Sequence, residues 1–436
     1  MHEKDLCKFR ILIKVQRLKK YLSNLKARNF AIDSSIVFAE DLEKILIVIE
    51  KNIERLSTSN YLNFENFLDR IILEFCSFIE RSTPSYIPWS FLNELEKICK
   101  STIDSDIHVV LKSDLQYNYT VHNINLIDYL LEQIKNYFGD LTELDKSSFR
   151  KTRIFTIPLL EKSNAILHSI LFHEIGHHYH SLFEEKYTTQ KYLEVLGNVY
   201  AQKTDQLSEE DLFTITQALE ILKGAVREIY SDIFAFMFCG LSIVFALKFF
   251  YQKFPVLVSP HDDNDFYPPL KYRIRILMQV ADEEKTIDFF QRSQTRHNYY
   301  RSIQNELDEI SSFLSSNDDL LELQSKPAIR YAYKAFELLL PEIKKDISER
   351  VGTKFQYSNI HEELFDKLED GVPPCEVNDV PQKLVDILLA GWAAYFNILQ
   401  SNETLDIKIM KSNFINNLVL KAITQSNLME KYRQFR

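Results

Sequence analysis

Apolar residues recur along most of the chain with the spacing of helix faces. In residues 1–104 the stripe Ile11, Val15, Leu18, Leu22 and Leu25 predicts a first helix, and 36–56 and 64–79 continue the pattern. Lys14, Arg17, Lys19, Lys20 and Lys26 lie between the apolar positions of that helix. They suit a solvated face, with a membrane-surface or partner-binding face as the alternative. Near residue 105 the period changes. Residues 107–112 and 115–121 read as two short strands, the second with Leu115, Tyr117, Tyr119 and Val121 on one face. A third, 152–157, is stopped by Pro158. Between them a helix over about 124–138 ends at Gly139, which suits a C-terminal cap.

Helical spacing then returns. A helix over about 163–183 is apolar on most sides ahead of Phe172, and 184–207 is polar enough to read as a surface excursion. Ser208-Glu209-Glu210-Asp211 has the chemistry of a helix start. Residues 233–247 carry no charge and are too short for a membrane span, so they predict a buried core helix. The remainder predicts helices at 298–314, 327–351 with a kink at Pro341, 362–368, 383–399 and 409–432, with Trp392 in the core. The expectation is a mainly α protein (α+β) with a small β-sheet. Its three regions are an N-terminal helical region 1–104, a core 105–290 and a C-terminal helical region 291–436.

Composition narrows this little. A chain of 436 residues with 45% hydrophobic content can bury a large core, and 8 glycines and 12 prolines suit a helical protein. The net charge of −10 is dispersed, without a basic block, so nucleic acid is not the expected partner. The charged start Met1-His2-Glu3-Lys4-Asp5 leads into no apolar signal region, and Cys7, Cys76, Cys99, Cys239 and Cys375 show no paired spacing. Both features predict a cytoplasmic protein with reduced thiols.

The chemistry concentrates at Phe172-His173-Glu174-Ile175-Gly176-His177-His178. Side chains four apart share a helix face, so His173 and His177 can offer two imidazole nitrogens to one metal ion. Glu174 is then the natural general base for a zinc-bound water. Downstream, Glu228 and Asp232 form Glu-x-x-x-Asp on a second apolar helix. Glu228 would complete three protein ligands, and Asp232 would fix the tautomer of a ligating histidine. Three ligands leave a fourth position open, as a catalytic zinc requires. Gly176 costs about 1 kcal/mol in a helix, which predicts close approach of another backbone there.

At these residues the sequence resembles the gluzincin branch of the zincin metallopeptidases. Tyr267-Pro268-Pro269-Leu270-Lys271-Tyr272-Arg273-Ile274 is further similar to the His-Pro-Pro…Arg-Ile segment of CAAX prenyl endopeptidases and their bacterial membrane-protease relatives. The resemblance spans about residues 150–280, with Tyr267 where that group has histidine. It implies a zincin-like core, Zn2+, and hydrolysis of a peptide bond in a peptide or protein substrate, with a sheet edge along the cleft to hold it. Its relatives are integral membrane proteins, but no second long apolar run here pairs with 233–247, so a membrane is not the expected setting.

The oxyanion or substrate contacts are less determined. Tyr267, His261, Arg273 and His180 are the candidates, Arg273 being either such a contact or the structural partner of an acidic side chain. His178 and His180 are expected to point away from the His173/His177 face. The loop 259–265 is acidic but lacks the spacing of an EF-hand. Cys375, after Pro373-Pro374, could cap the zinc as an inhibitory ligand. The competing function is a catalytically silent helical interaction protein that uses zinc structurally; a non-peptide amide substrate and a protein partner at the helical flanks also stay open.

Overall fold

The computed structural model describes residues 3–28, 30, 33–122, 126–200, 209–251, 267–293, 297–315, 326–351 and 354–434. The protein is 78% helix and 6% strand, with one three-stranded and one two-stranded sheet, as the periodicity predicts. The chain divides into two compact units, Met1–Ser163 and Asn164–Arg436.

In the first unit, helices α1 (Glu3–Lys26), α2 (Ser34–Asn52), α3 (Tyr61–Phe67), α4 (Leu73–Glu80), α5 (Trp89–Thr102) and α6 (Leu126–Phe138) surround a small sheet. Strands β1 (His108–Asp114), β2 (Thr120–His122) and β3 (Thr152–Pro158) lie in the order β1-β3-β2, with β1 parallel and β2 antiparallel to β3. Ile11, Val15, Leu22 and Leu25 of the α1 stripe are buried as its spacing requires, in one core with Phe38, Ile45, Phe64, Val110 and Ile154, and Leu18 packs partly buried against it. Lys14 pairs with Glu65 and Asp69, Lys19 with Glu50 and Lys26 with Glu43, so three of the basic residues of α1 face acidic side chains of this unit. Gly139 adopts φ 73° and its N–H closes on Lys135 O at 2.8 Å, the cap its position predicts.

Two expectations change here. The second strand is three residues long rather than seven. The Asp114 carboxylate accepts the Leu115 N–H at 2.7 Å and turns the chain, leaving Leu115 80% exposed instead of facing a core. The sheet also packs on α2, α4 and α5, so 105–163 groups with the N-terminal helices. The expected division at 104/105 therefore differs from the observed one at 163/164.

The second unit holds α7 (Ile170–Lys186), α8 (Thr189–Tyr200), α9 (Glu209–Cys239), α10 (Leu241–Tyr251), α11 (Leu270–Glu283), α12 (Thr286–Ser293), α13 (Asn298–Ser315), α14 (Pro327–Val351), α15 (Ile360–Glu369), α16 (Leu384–Gln400) and α17 (Leu405–Gln434), with the hairpin β4 (Glu376–Val377) and β5 (Val380–Pro381). Residues 291–436 thus pack in one unit with the motif helix rather than as a separate region. Of the stretch expected as a polar excursion, the described residues 184–200 are largely helical: α7 runs on to Lys186, and α8 buries Tyr192, Leu196, Val199 and Tyr200, while 201–208 lie outside the described residues. Tyr192 and Leu196 stand four apart on one face, a signal outweighed in the sequence by the polar residues between them.

Helix α9 is the hub of this unit, packed by α7, α8, α10, α11 and α14. The uncharged run 233–247 is buried almost throughout, but it is two helices, broken at Gly240 with φ 61°. The segment that follows α14 closes the break. The Phe355 N–H donates to Met237 O at 2.8 Å and the Leu241 N–H to the Tyr357 hydroxyl at 2.9 Å. No helix among the described residues is long and apolar enough to cross a membrane.

A Cβ at Gly240 would lie 2.6 Å from both the Phe355 ring and the Tyr357 hydroxyl, in a backbone conformation that L side chains rarely adopt. Gly240→Ala should therefore lower the unfolding free energy by about 2 kcal/mol or more. Urea unfolding checks this, and a change under 0.5 kcal/mol would mean that the break tolerates a side chain.

Candidate metal centre

The site forms where α7 crosses α9. A Cβ on Gly176 would sit 2.6 Å from Ser231 Cα, so only glycine lets the two backbones come this close, as its place in the motif predicts. The approach sets His173 and His177, with ring centroids 4.6 Å apart, opposite Glu228, Ser231 and Asp232.

Each imidazole is fixed through its Nδ1. His173 Nδ1–H donates to Asp232 Oδ1 at 2.7 Å. His177 Nδ1–H donates to Ser231 Oγ at 2.9 Å, and that hydroxyl donates in turn to Arg227 O at 2.9 Å. Both Nε2 atoms are left facing one carboxylate: His173 Nε2 is 3.4 Å from Glu228 Oε2, and His177 Nε2 is 3.9 Å from Glu228 Oε1. Ligands of a tetrahedral zinc with bonds near 2.0 Å stand about 3.3 Å apart. His173 Nε2 and Glu228 Oε2 stand at about that spacing, and His177 Nε2 lies somewhat farther from the other oxygen, so one carboxylate faces the free edge of both rings. Glu174 is buried beside them, its carboxylate within 4.8 Å of ligand atoms of both histidines. Among the described residues His173, Glu174 and His177, without Glu228, form the one cluster of histidine, cysteine and acidic side chains close enough to hold a metal ion.

Charge favours a cation here. Burial pushes the Glu228 carboxyl up, but the hydrogen bond and charge of His173, with the His177 and Arg273 charges, hold it well below the usual carboxylate range. Asp232 is likewise held down against burial by Arg273 and His173. Burial lowers His173, yet Asp232 and Glu228 outweigh it and lift the ring to about 9. Burial and the neighbouring His173 push His177 to about 3. Positive charge is therefore stabilised between Glu228 and Asp232, where His173 lies.

Of the other candidates, Arg273 is decided by geometry. Its Nε and Nη2 donate to Asp232 Oδ2 and Oδ1, each at 2.7 Å, its Nη1 lies 3.7 Å from Glu228, and it is 2% exposed. It is the structural partner of an acidic side chain, and its Nη2 also lies 3.5 Å from His173 Nδ1. Tyr267 is 45% exposed, with its ring over the Arg227 guanidinium at 5.5 Å; the charge of Glu228, then burial, raises its hydroxyl pKa. His261 and the acidic loop 259–265 lie outside the described residues. Cys375 sits at the start of the β4–β5 hairpin, and the charges it senses are Glu376 and Lys367 rather than any metal-site group.

His180 corrects an expectation. Seven residues make nearly two full helical turns, so His180 stands about 20° from His173 and shares its stripe instead of facing away. It is buried against the Tyr230 ring and its pKa falls to about 4, chiefly through burial and then through Arg227. Two contributors were not identified from sequence alone. Ser231 carries the signal of lying inside Glu-x-x-x-Asp, opposite Gly176. Arg227 donates from Nε to Glu228 Oε1 at 3.2 Å, and only the fold reveals that contact.

Comparison with known protein families, characterised proteins and solved structures finds no match to this chain. The case for a chemical class therefore rests on the site.

Arg273→Met keeps length but leaves a buried Asp232 carboxylate without its bidentate partner, and should cost about 3–5 kcal/mol. Arg273→Met with Asp232→Leu should recover part of that loss. A single-variant cost under 1 kcal/mol in urea unfolding would show that the pair does not hold the site together.

Proposed function

We propose that this chain is a zinc-dependent metallopeptidase of the gluzincin type, with the metal held by His173, His177 and Glu228 and with Glu174 as general base. The observation that carries the reading is the convergence of one buried carboxylate on the Nε2 atoms of two histidines whose Nδ1 atoms are otherwise bonded.

Zn2+ held there would acidify a water and polarise a carbonyl group. Glu174 takes the proton of the attacking water and hands it to the leaving amine. Asp232 and Ser231 keep the imidazoles in one tautomer and one orientation throughout, and Arg273 keeps Asp232 ionised and in place. Tyr267, half-exposed and near enough to Glu228 to feel its charge, is a hydroxyl available to donate to the developing oxyanion. A peptide or protein substrate in the cytoplasm belongs to the same proposal. All five cysteines are unpaired, which suits a reducing compartment.

Metal analysis of the purified protein should find one zinc per chain. Glu174→Gln should keep that zinc and lose cleavage by at least about a hundredfold, the scale of general acid–base catalysis. Substrates are to be found by comparing new N-termini in cells carrying wild-type and Glu174→Gln protein. If Glu174→Gln leaves every cleavage event unchanged while His173→Ala unfolds the chain, zinc serves structure and the interaction-protein reading replaces this one.

A further inference from the structure

Solvent reaches the metal centre at one edge. The side chains of Glu228 and His173 are 2% and 3% exposed and that of His177 is 14% exposed, so the opening lies at His177. Arg227 stands at the same edge. Its Nε donates at 3.2 Å to Glu228 Oε1, the oxygen that faces His177 Nε2 at 3.9 Å, while Oε2 faces His173. Unlike the carboxylate it touches, the Arg227 side chain is 47% exposed. The Tyr267 ring, also nearly half exposed, lies against the guanidinium with 5.5 Å between its centroid and Cζ.

This arginine is held more firmly than its function as a neighbour of Glu228 requires. A guanidinium carries five N–H donors in one rigid plane. Steadying Glu228 uses the Nε–H, and Nη1 and Nη2 meet no acceptor among the described residues. Those two nitrogens form an end-on fork that points away from Glu228, and its spacing matches the two oxygens of a carboxylate. Ordering a long side chain costs rotamer freedom, so a guanidinium already fixed by an anion and an aromatic ring loses less when its ligand arrives.

We infer that Arg227 binds a substrate carboxylate close to the scissile bond through Nη1 and Nη2, with the Tyr267 ring and Glu228 holding the guanidinium in place. The carboxylate is an Asp or Glu side chain or the end of the substrate chain, which present the same two oxygens. An extended chain advances about 3.3 Å per residue, so a group on the far edge of the guanidinium belongs within about three residues of a carbonyl at the metal. The inference rests on the metallopeptidase reading and deepens it: the substrate is a polypeptide with an acidic group beside the cut.

The test uses the full-length zinc-loaded chain and a proteome-derived peptide library read by mass spectrometry. The best-cut peptide should carry a carboxylate within about three residues of the cut. It is resynthesised in two arms, one with each nearby Asp or Glu replaced by Asn or Gln, the other with the C-terminal carboxylate replaced by an amide. One arm should raise KM about tenfold, the scale of a hydrogen bond to a charged group, and thereby identify the source of the carboxylate. Calorimetry on zinc-loaded Glu174→Gln should show the same loss of affinity without turnover. Arg227→Gln should bring the KM ratio of parent and uncharged analogue close to one, and Arg227→Lys should restore part of it. Tyr267→Phe keeps the ring and should keep the ratio even where kcat falls.

A residue that only steadies Glu228 behaves otherwise. Arg227→Gln would then lower zinc content or kcat for both peptides alike and leave their KM ratio as in wild type, which would overturn the inference. So would a best-cut peptide with no carboxylate near the cut. A zinc-loaded wild-type protein that cuts no peptide would remove the metallopeptidase reading itself and this inference with it. Cleavage indifferent to the carboxylate in both arms would remove only the inference.

Discussion

The site depends on one close contact, the backbone approach of α7 to α9 at Gly176 and Ser231. Two helices normally pack with axes 8–10 Å apart, set by the side chains between them. Removing the side chain at Gly176 lets short groups on α9 meet imidazoles on α7 directly: Ser231 under His177, Asp232 under His173 and Glu228 facing both. Had any larger residue held the helices apart, the same motif would leave its histidines to be satisfied elsewhere. The glycine weakens the helix locally, and the gain is a rigid donor set in a buried setting.

Around that contact the charges are arranged in a chain. Arg273 neutralises Asp232, Asp232 orients His173, and His173 and His177 share Glu228, which Arg227 also touches. Each buried charge has a partner, as burial demands. The rest of the second unit serves this arrangement. Helix α9 carries four of the contributing residues, Arg227, Glu228, Ser231 and Asp232, where neighbouring helices cover it, and α11 brings Arg273 to the same spot.

Much of the site could be read from the chain because it is local. His173, Glu174 and His177 lie within five residues of one helix, Glu228 and Asp232 within five of another, and helix periodicity alone fixes which side chains share a face. Gly176 announced a close approach without naming the partner. What periodicity could not supply is the pairing of distant segments. The role of Arg273 is settled by a residue 41 positions away, since its guanidinium bonds both oxygens of Asp232. The sheet looked like part of the core because it precedes the motif in sequence, although it packs with α2, α4 and α5. Alternation in 115–121 imitated a strand where Asp114 turns the chain. His180 is a different case, since two turns of ideal helix already place it under His173.

The central claim is that two imidazoles from one helix and a carboxylate from another bind one zinc. X-ray absorption at the zinc edge of the purified protein measures this most directly. It should report four light-atom neighbours near 2.0–2.1 Å, with the multiple-scattering pattern of two imidazoles that disappears together with the zinc in His173→Ala and Glu228→Ala. A sulfur neighbour near 2.3 Å, or a zinc signal unchanged by those two substitutions, would contradict it.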